Sequence, residues 1–235
     1  MSGHSHWATI KHKKGAADAK RSNQFARIAK EITVAAKSGA DPEANPRLRT
    51  IIEKARDINM PTDNIERAIK RGTGDGEQQL EELLVEAYGP GGMALLIACI
   101  TDNKNRTLGE IKQVLSRNNG KFVEGGAVQW MFERKGVLIA NGEGKPKEEL
   151  ELMAIEAGAQ DISWQDSYLE IYTTPEQMEQ TKLRIKEQGI ALESVALDWV
   201  AKETIALSPE DKEKAEKLLE ALDNYDDVQD LYSNT

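Results

Sequence analysis

The sequence is short of most things that announce a chemistry. One cysteine in 235 residues leaves no disulfide framework and no thiolate cage for a metal. The three histidines stand together near the N-terminus, at His4, His6 and His12, so no Ser/His/Asp or Cys/His set can be assembled from neighbours in sequence. Aromatic residues make up only 5%, and no apolar run approaches the roughly 20 residues that cross a bilayer. Glycines cluster at Gly89-Pro90-Gly91-Gly92, but no Gly-Lys-Ser/Thr follows, which excludes a nucleotide cradle and leaves a turn. What is present is ordinary for globular domains, 39% hydrophobic and 30% charged residues, enough for two or three compact units with cores of their own.

Charge is unevenly spread. The formal net charge of -9 by itself speaks against a polyanionic partner. Residues 1–76, however, hold 15 Lys and Arg against 9 Asp and Glu, a balance of +6, and the remainder holds 16 against 31, a balance of -15. Such segregation points to nucleic-acid contact through the basic part, with the acidic remainder limiting non-specific adhesion. The start meets lysines before any apolar stretch, which excludes a secretory signal. A basic, Ser-containing start also suits an organelle transit peptide, but this one runs straight into a patterned helix with acidic residues of its own. Cys99, inside the apolar stretch 93–100, reads as a small buried hydrophobe in a reducing compartment.

Periodicity divides the chain. Residues 18–38 read as an amphipathic helix with Phe25, Ile28, Ala29, Ile32 and Ala36 on one face and Lys20, Arg27, Lys30 and Lys37 opposite. Asn45-Pro46, a capping residue followed by proline, opens a second helix with Leu48, Ile51, Ile52 and Ala55 inward. A third, after Pro61, turns Ile65, Ala68 and Ile69 inward and is expected to close at Gly72 in a left-handed conformation. Residues 72–76 then form a glycine-rich joint. Beyond it, residues 83–88 and 93–100 read as paired strands, and Thr107 with Glu110 as a capping box opening a helix that ends at Asn118-Asn119-Gly120. Residues 128–132 read as a further strand. From Gly136 the order is β-α-β-β-α-β, the ferredoxin-like arrangement; a helix from Ser208-Pro209 and a strand at 228–232 follow. The expected fold is multidomain α+β: an N-terminal three-helix bundle (1–76), a discontinuous α+β domain (77–134 with 204–235) and an inserted ferredoxin-like domain (135–203).

The residues that suit a polyanion lie mainly in the first piece. Lys11, His12, Lys13, Lys14, Lys20 and Arg21, with His4, His6 and a stacking surface at Trp7, combine cationic donors with an aromatic, as phosphates and unpaired bases require. Trp7 serves equally to pin the arm to the bundle. Arg27, Lys30, Arg47 and Arg49 extend the cationic set over the first two helices. A zinc site at the histidines lacks nearby Cys or carboxylate ligands, so no metal is expected. The loop 101–107 joins a buried strand to a helix start, where free amides and the dipole favour an anion and Lys104 and Arg106 add charge; as a plain solvated loop it needs no ligand. The carboxylates lie mostly on expected helix exteriors, as at Glu148-Glu149 and residues 210–216, as solubilising groups. No enzyme and no cofactor are expected.

Several of these stretches together resemble one family. Gly3-His4-Ser5-His6-Trp7, Asp18-Ala19-Lys20-Arg21, Asn45-Pro46-Arg47-Leu48-Arg49, residues 59–72, Tyr88-Gly89-Pro90-Gly91-Gly92 and residues 101–107 are similar, in order and over the full chain, to the YebC/PmpR family, which includes the mitochondrial translational activator of cytochrome c oxidase. His6 and Lys104 stand where that pattern leads one to expect lysine and arginine, which leaves the charge at His6 pH-dependent. The resemblance implies a YebC-like fold, a helical domain followed by two α+β domains, and a cytoplasmic location. It also implies one of two functions: transcriptional regulation by binding promoter DNA, or action on the ribosome through large-subunit RNA, easing synthesis of difficult stretches such as consecutive prolines. Reading DNA directly calls for a recognition helix, often doubled in a dimer. The helices here show phosphate-binding cations without a clear reading face, so the expectation is a ribosome-associated factor, with the DNA-binding regulator as the alternative and a protein-binding adaptor as a third class. No membrane partner is expected, and the absence of heptads suggests a monomer.

Overall fold

The structure is a computed structural model that describes residues 17–74, 80–142 and 144–235. Helices α1 (Ala17–Ala36), α2 (Pro46–Asp57) and α3 (Thr62–Thr73) come first. Their apolar stripes converge as the spacing demands: Ile28, Ile32, Ala35 and Ala36 meet Leu48, Ile51, Ile52, Ala55, Ile65 and Ala68 in one buried cluster. Asn45 sets the corner between α1 and α2. Its side chain accepts from the Leu48 amide at 3.1 Å and donates to the carbonyls of Ala35 and Gly39 at 2.9 and 2.8 Å. One buried amide thus caps α2 and satisfies the end of α1.

Gly72 departs from expectation: it lies within α3 instead of closing it. A Cβ there would stand 2.2 Å from the Thr33 carbonyl oxygen and 2.8 Å from the Ala36 Cβ. The glycine is required by the close approach of α3 to α1, not by a left-handed turn.

Strands β1 (Glu81–Tyr88) and β2 (Ala94–Thr101) pair antiparallel about the turn Pro90–Gly92, from Glu81 opposite Thr101 to Tyr88 opposite Ala94. Helix α4 (Lys104–Arg117) follows, then a short β3 (Lys121–Val123) that joins the far side of β1. The sheet is completed near the end of the chain, after α7 (Pro209–Asp223), by β8 (Val228–Ser233), in the order β3-β1-β2-β8. Ile111 and Leu115 of α4 and Leu218, Leu219 and Leu222 of α7 bury one of its faces with Val85, Leu95, Ile97 and Cys99. Two expectations are corrected here. The cap of α4 is Asn103, whose side chain accepts from the Arg106 amide at 3.1 Å, so the helix begins ahead of Thr107. Residues 128–132 hold a 3-10 turn, Gln129–Met131, in place of a strand.

The third piece runs β4 (Phe132–Asn141), α5 (Lys147–Ala157), β5 (Asp161–Gln165), β6 (Tyr168–Thr173), α6 (Met178–Glu187) and β7 (Leu192–Ala201). Its sheet has the order β5-β6-β4-β7 with every pair antiparallel, the ferredoxin-like arrangement expected from the element order. Leu138, Ala140, Leu169 and Ile171 pack beneath Leu150, Ala154 and Ile185 of the two helices. The described residues form two compact units, Gln129–Ala206 with Tyr232–Thr235, and those from Ala17 to Val128 with Leu207–Leu231.

Candidate nucleic-acid interface

The arm residues His4, His6, Trp7, Lys11, His12, Lys13 and Lys14 lie outside the described residues, as do the side chains of Lys20 and Arg21. The geometry of the interface therefore rests on the cations from Arg27 onward.

Arg27 and Lys30 fall on one stripe of α1, three residues apart, and Lys37 follows directly after the helix ends at Ala36. All three are turned toward the chain itself. Arg27 Nη1 lies 2.8 Å from Asp223 Oδ1, and its Nη2 donates to the Asp223 carbonyl. Lys30 Nζ donates to Asp227 Oδ1 and to the Asp226 carbonyl, both at 2.9 Å. Lys37 Nζ donates to the Leu80 carbonyl at 2.7 Å. Arg27 and Lys30 are thus laid against the end of α7 and the residues that lead into β8.

Asp227 is the hub. It is 6% exposed, and its Oδ2 accepts from Arg106 Nη2 at 2.9 Å and from Thr107 Oγ1 at 2.7 Å. Burial alone would raise its carboxyl, but hydrogen bonds from Lys30, Thr107 and Arg106 outweigh that effect and hold it at about 2. The anion beside the first turn of α4 is therefore the chain's own carboxylate. Arg106 also reaches Asp102 at 2.9 Å, Lys104 pairs with Glu81, and Arg47 pairs with Glu82. Arg27, Lys30, Arg47, Lys104 and Arg106, all read from sequence as ligand-facing, are brought onto carboxylates that lie far away in the chain or, at Asp102, four residues away. The exposed pairs Arg47–Glu82 and Lys104–Glu81 are worth little in water and exchange readily with another anion; the Asp227 hub is partly buried and harder to replace.

Among the described residues, Arg49 makes no ion pair, and neither do Arg56, Lys70 and Arg71, which are all exposed. Sequence reasoning passes over the last three. Their signal is weak because Arg56 sits in the last turn of α2 and Lys70 and Arg71 in that of α3, where a cation is already explained by the helix dipole. Cys99 is buried, and desolvation pushes its thiol up to about 12. No group of three or more His, Cys, Asp or Glu among the described residues is placed to hold a metal ion. No described helix is long and apolar enough to cross a membrane.

The fold and these side chains define a multidomain α+β protein that begins with a cationic helical module. Comparison with known families narrows this. The TACO1/YebC protein N-terminal domain matches residues 5–75, and the TACO1/YebC second and third domain matches residues 80–235. The chain belongs to this family. It is 52% identical to a protein of Petrotoga mobilis, covering 100% of this chain and 94% of that one. It is 49% identical to one of Pseudothermotoga lettingae, covering 100% and 93%; both are named "probable transcriptional regulatory protein". The crystal structure of a conserved hypothetical protein from Aquifex aeolicus superposes with a TM-score of 0.90 at 42% identity, covering 97% of this chain and 95% of that one.

Proposed function

We propose that this chain is a nucleic-acid-binding regulatory protein without catalytic activity of its own, cytoplasmic and monomeric, that grips a polyanion through residues 1–76. The observation that carries this reading is charge segregation, +6 in that piece against -15 in the rest. In this reading Arg49, Arg56, Lys70 and Arg71 join the arm, His4, His6, Trp7, Lys11, His12, Lys13, Lys14, Lys20 and Arg21, in contacting backbone phosphates, which supply affinity without reading sequence. The names of the relatives favour promoter DNA as the polyanion and transcription as the regulated step.

A second reading is favoured by the placement of α1. Its cationic stripe faces Asp223 and Asp227, so α1 is not displayed as a recognition helix that enters a major groove. A shaped RNA pocket needs only one basic end to enter it while the acidic domains, 77–134 with 204–235 and 135–203, stay outside. On this reading the protein is a ribosome-associated translation factor that contacts large-subunit RNA and assists synthesis of difficult stretches such as consecutive prolines.

One set of binding measurements separates the two. A transcriptional regulator prefers one promoter fragment over random DNA by about 10³-fold or more at physiological salt. A translation factor shows no such preference and co-sediments with the large ribosomal subunit. The double variant Lys13→Glu, Lys14→Glu loses either interaction while its melting is unchanged. Indifference to this charge reversal, with binding retained, sinks both readings.

A further inference from the structure

The 3-10 turn Gln129–Met131 presents Trp130 with 63% of its surface exposed, the largest exposure among the bulky apolar residues described. A single exposed indole needs no explanation, but three further features attach to this one. The turn that carries it is held on two carbonyls: the Lys202 amide donates to Met131 at 2.9 Å, and Lys202 Nζ donates to Trp130 at 2.8 Å. The ring is therefore mounted on a fixed main chain with an ammonium group close to its backbone. Next, Arg134 lies over the ring of Trp199, with its Cζ 5.2 Å from the centroid, and Arg134 is exposed and makes no ion pair among the described residues. Finally, the register of β4 and β7 places Phe132 opposite Ala201 and Arg134 opposite Trp199. Lys202, Trp130, Arg134 and Trp199 thus share one end of this strand pair, within about 10 to 15 Å along the strands.

The charge context is selective. Residues 129–206 hold 8 Lys and Arg against 15 Asp and Glu, yet this end of the sheet gathers Arg134, Lys135 and Lys202. The neighbouring Glu133 is taken by Lys135 at 2.8 Å, leaving Glu203 as the nearby exposed carboxylate in sequence. Two indoles with a guanidinium and an ammonium beside them fit a ligand that has flat π-faces and one negative charge per unit. Unpaired bases on a single strand have that chemistry. A duplex hides its base faces and brings a denser row of phosphates toward an acidic unit.

We propose that Trp130, with Trp199, Arg134 and Lys202, forms a stacking platform for one or two unpaired bases of a single-stranded nucleic acid, separate from the phosphate grip of residues 1–76. The proposal rests on the reading that the chain binds nucleic acid. It is tested on the full chain with two probes, a labelled 12-nucleotide oligoadenylate and a blunt duplex of the same length, at about 50 mM salt where phosphate contacts hold both. Trp130→Ala is expected to weaken the single strand by about 5- to 150-fold, the range measured for one base stacked on one aromatic. Trp130→Tyr restores most of that loss, duplex binding stays within twofold, and oligoadenylate quenches the indole fluorescence of the parent more than that of Trp130→Ala. Unchanged oligoadenylate affinity in Trp130→Ala overturns the platform. So does an equal loss on both probes, and so does a defect confined to capture of a protein. The Lys13→Glu, Lys14→Glu variant reads the other site independently: if it weakens neither probe, the grip of residues 1–76 fails while the Trp130 result still stands.

Discussion

Replacing Asp227 by Asn removes the charge at the point where α1, α4 and the start of β8 meet, and its cost can be worked from the structure. The carboxyl is held at about 2 against an ordinary value of 3.8, and each unit is worth about 1.4 kcal/mol. The partners Lys30 and Arg106 are 23% and 45% exposed, so solvent screening brings the ionic part to about 1–2 kcal/mol. Thr107 is fully buried and gives its hydroxyl to Asp227, so a misdirected amide there adds about 1 kcal/mol. The variant should lose about 2–3 kcal/mol in all, which for a chain of this size lowers the melting midpoint by about 4 to 12 °C. The sign with pH follows from the depressed carboxyl. Its stabilisation is complete above the unfolded value near 4 and is lost as pH falls toward 2. Thermal melts by circular dichroism from pH 7 down to pH 2 should therefore show parent and variant far apart at neutrality and converging in acid. Curves that stay parallel through that window, or a variant that melts within 1 °C of the parent at pH 7, would show that the hub is not a source of stability. A double-mutant cycle with Lys30→Met isolates the pair, with a coupling of about 1 kcal/mol expected.

Other consequences are simpler to read. Gly72→Ala adds a methyl where 2.2 Å separates it from the Thr33 carbonyl; the gain in helix propensity of about 1 kcal/mol is overwhelmed, and an unfolding free energy lower by about 2 kcal/mol or more is expected from urea melts. Asn45→Ala removes the cap on Leu48 and leaves the Ala35 and Gly39 carbonyls without their amide donor, which should cost about 2 kcal/mol in the same assay. Cys99, with its thiol pushed up to about 12, should resist a thiol reagent at pH 8 in the native protein and react fully only in denaturant. Asp223→Asn combined with Asp227→Asn releases Arg27 and Lys30 from their carboxylates and leaves Arg106 with Asp102 alone. The slope of log affinity against log salt for a nucleic-acid probe should then steepen by about 1–3 if those cations reach phosphates, and stay the same if they serve the fold alone.

What the sequence discloses and what it hides differ by the distance over which each cause acts. The cap Asn45-Pro46, the inner stripe of α2 and the limits of α5 are legible because capping, propensity and apolar spacing act within one or two turns. The ferredoxin-like order follows from the succession of such local signals. Gly72 is misread because the reason for it, the backbone of Thr33, lies in another helix. The start of α4 is misplaced for a related reason: Thr107 looks like a capping residue, but its hydroxyl is committed to Asp227, 120 residues further on. Strand β3, only Lys121–Val123, is too short for an alternation to declare itself.

The same distinction bears on the binding site. Counting charge along residues 1–76 gives +6, but that count treats every cation as displayed. Folding then brings Asp223 onto Arg27, 196 residues away, and Asp227 onto Lys30, 197 residues away, and no pattern in the first helix can reveal this. Sequence charge thus sets an upper limit on the surface a polyanion can meet. A cation at a helix end such as Arg71 looks redundant in the sequence, because the dipole already accounts for it, yet it makes no ion pair among the described residues. The displayed part of a basic segment is therefore to be sought in those cations that no described acidic residue reaches, and Arg56, Lys70 and Arg71 are where charge reversal should weaken nucleic-acid binding without lowering the melting midpoint.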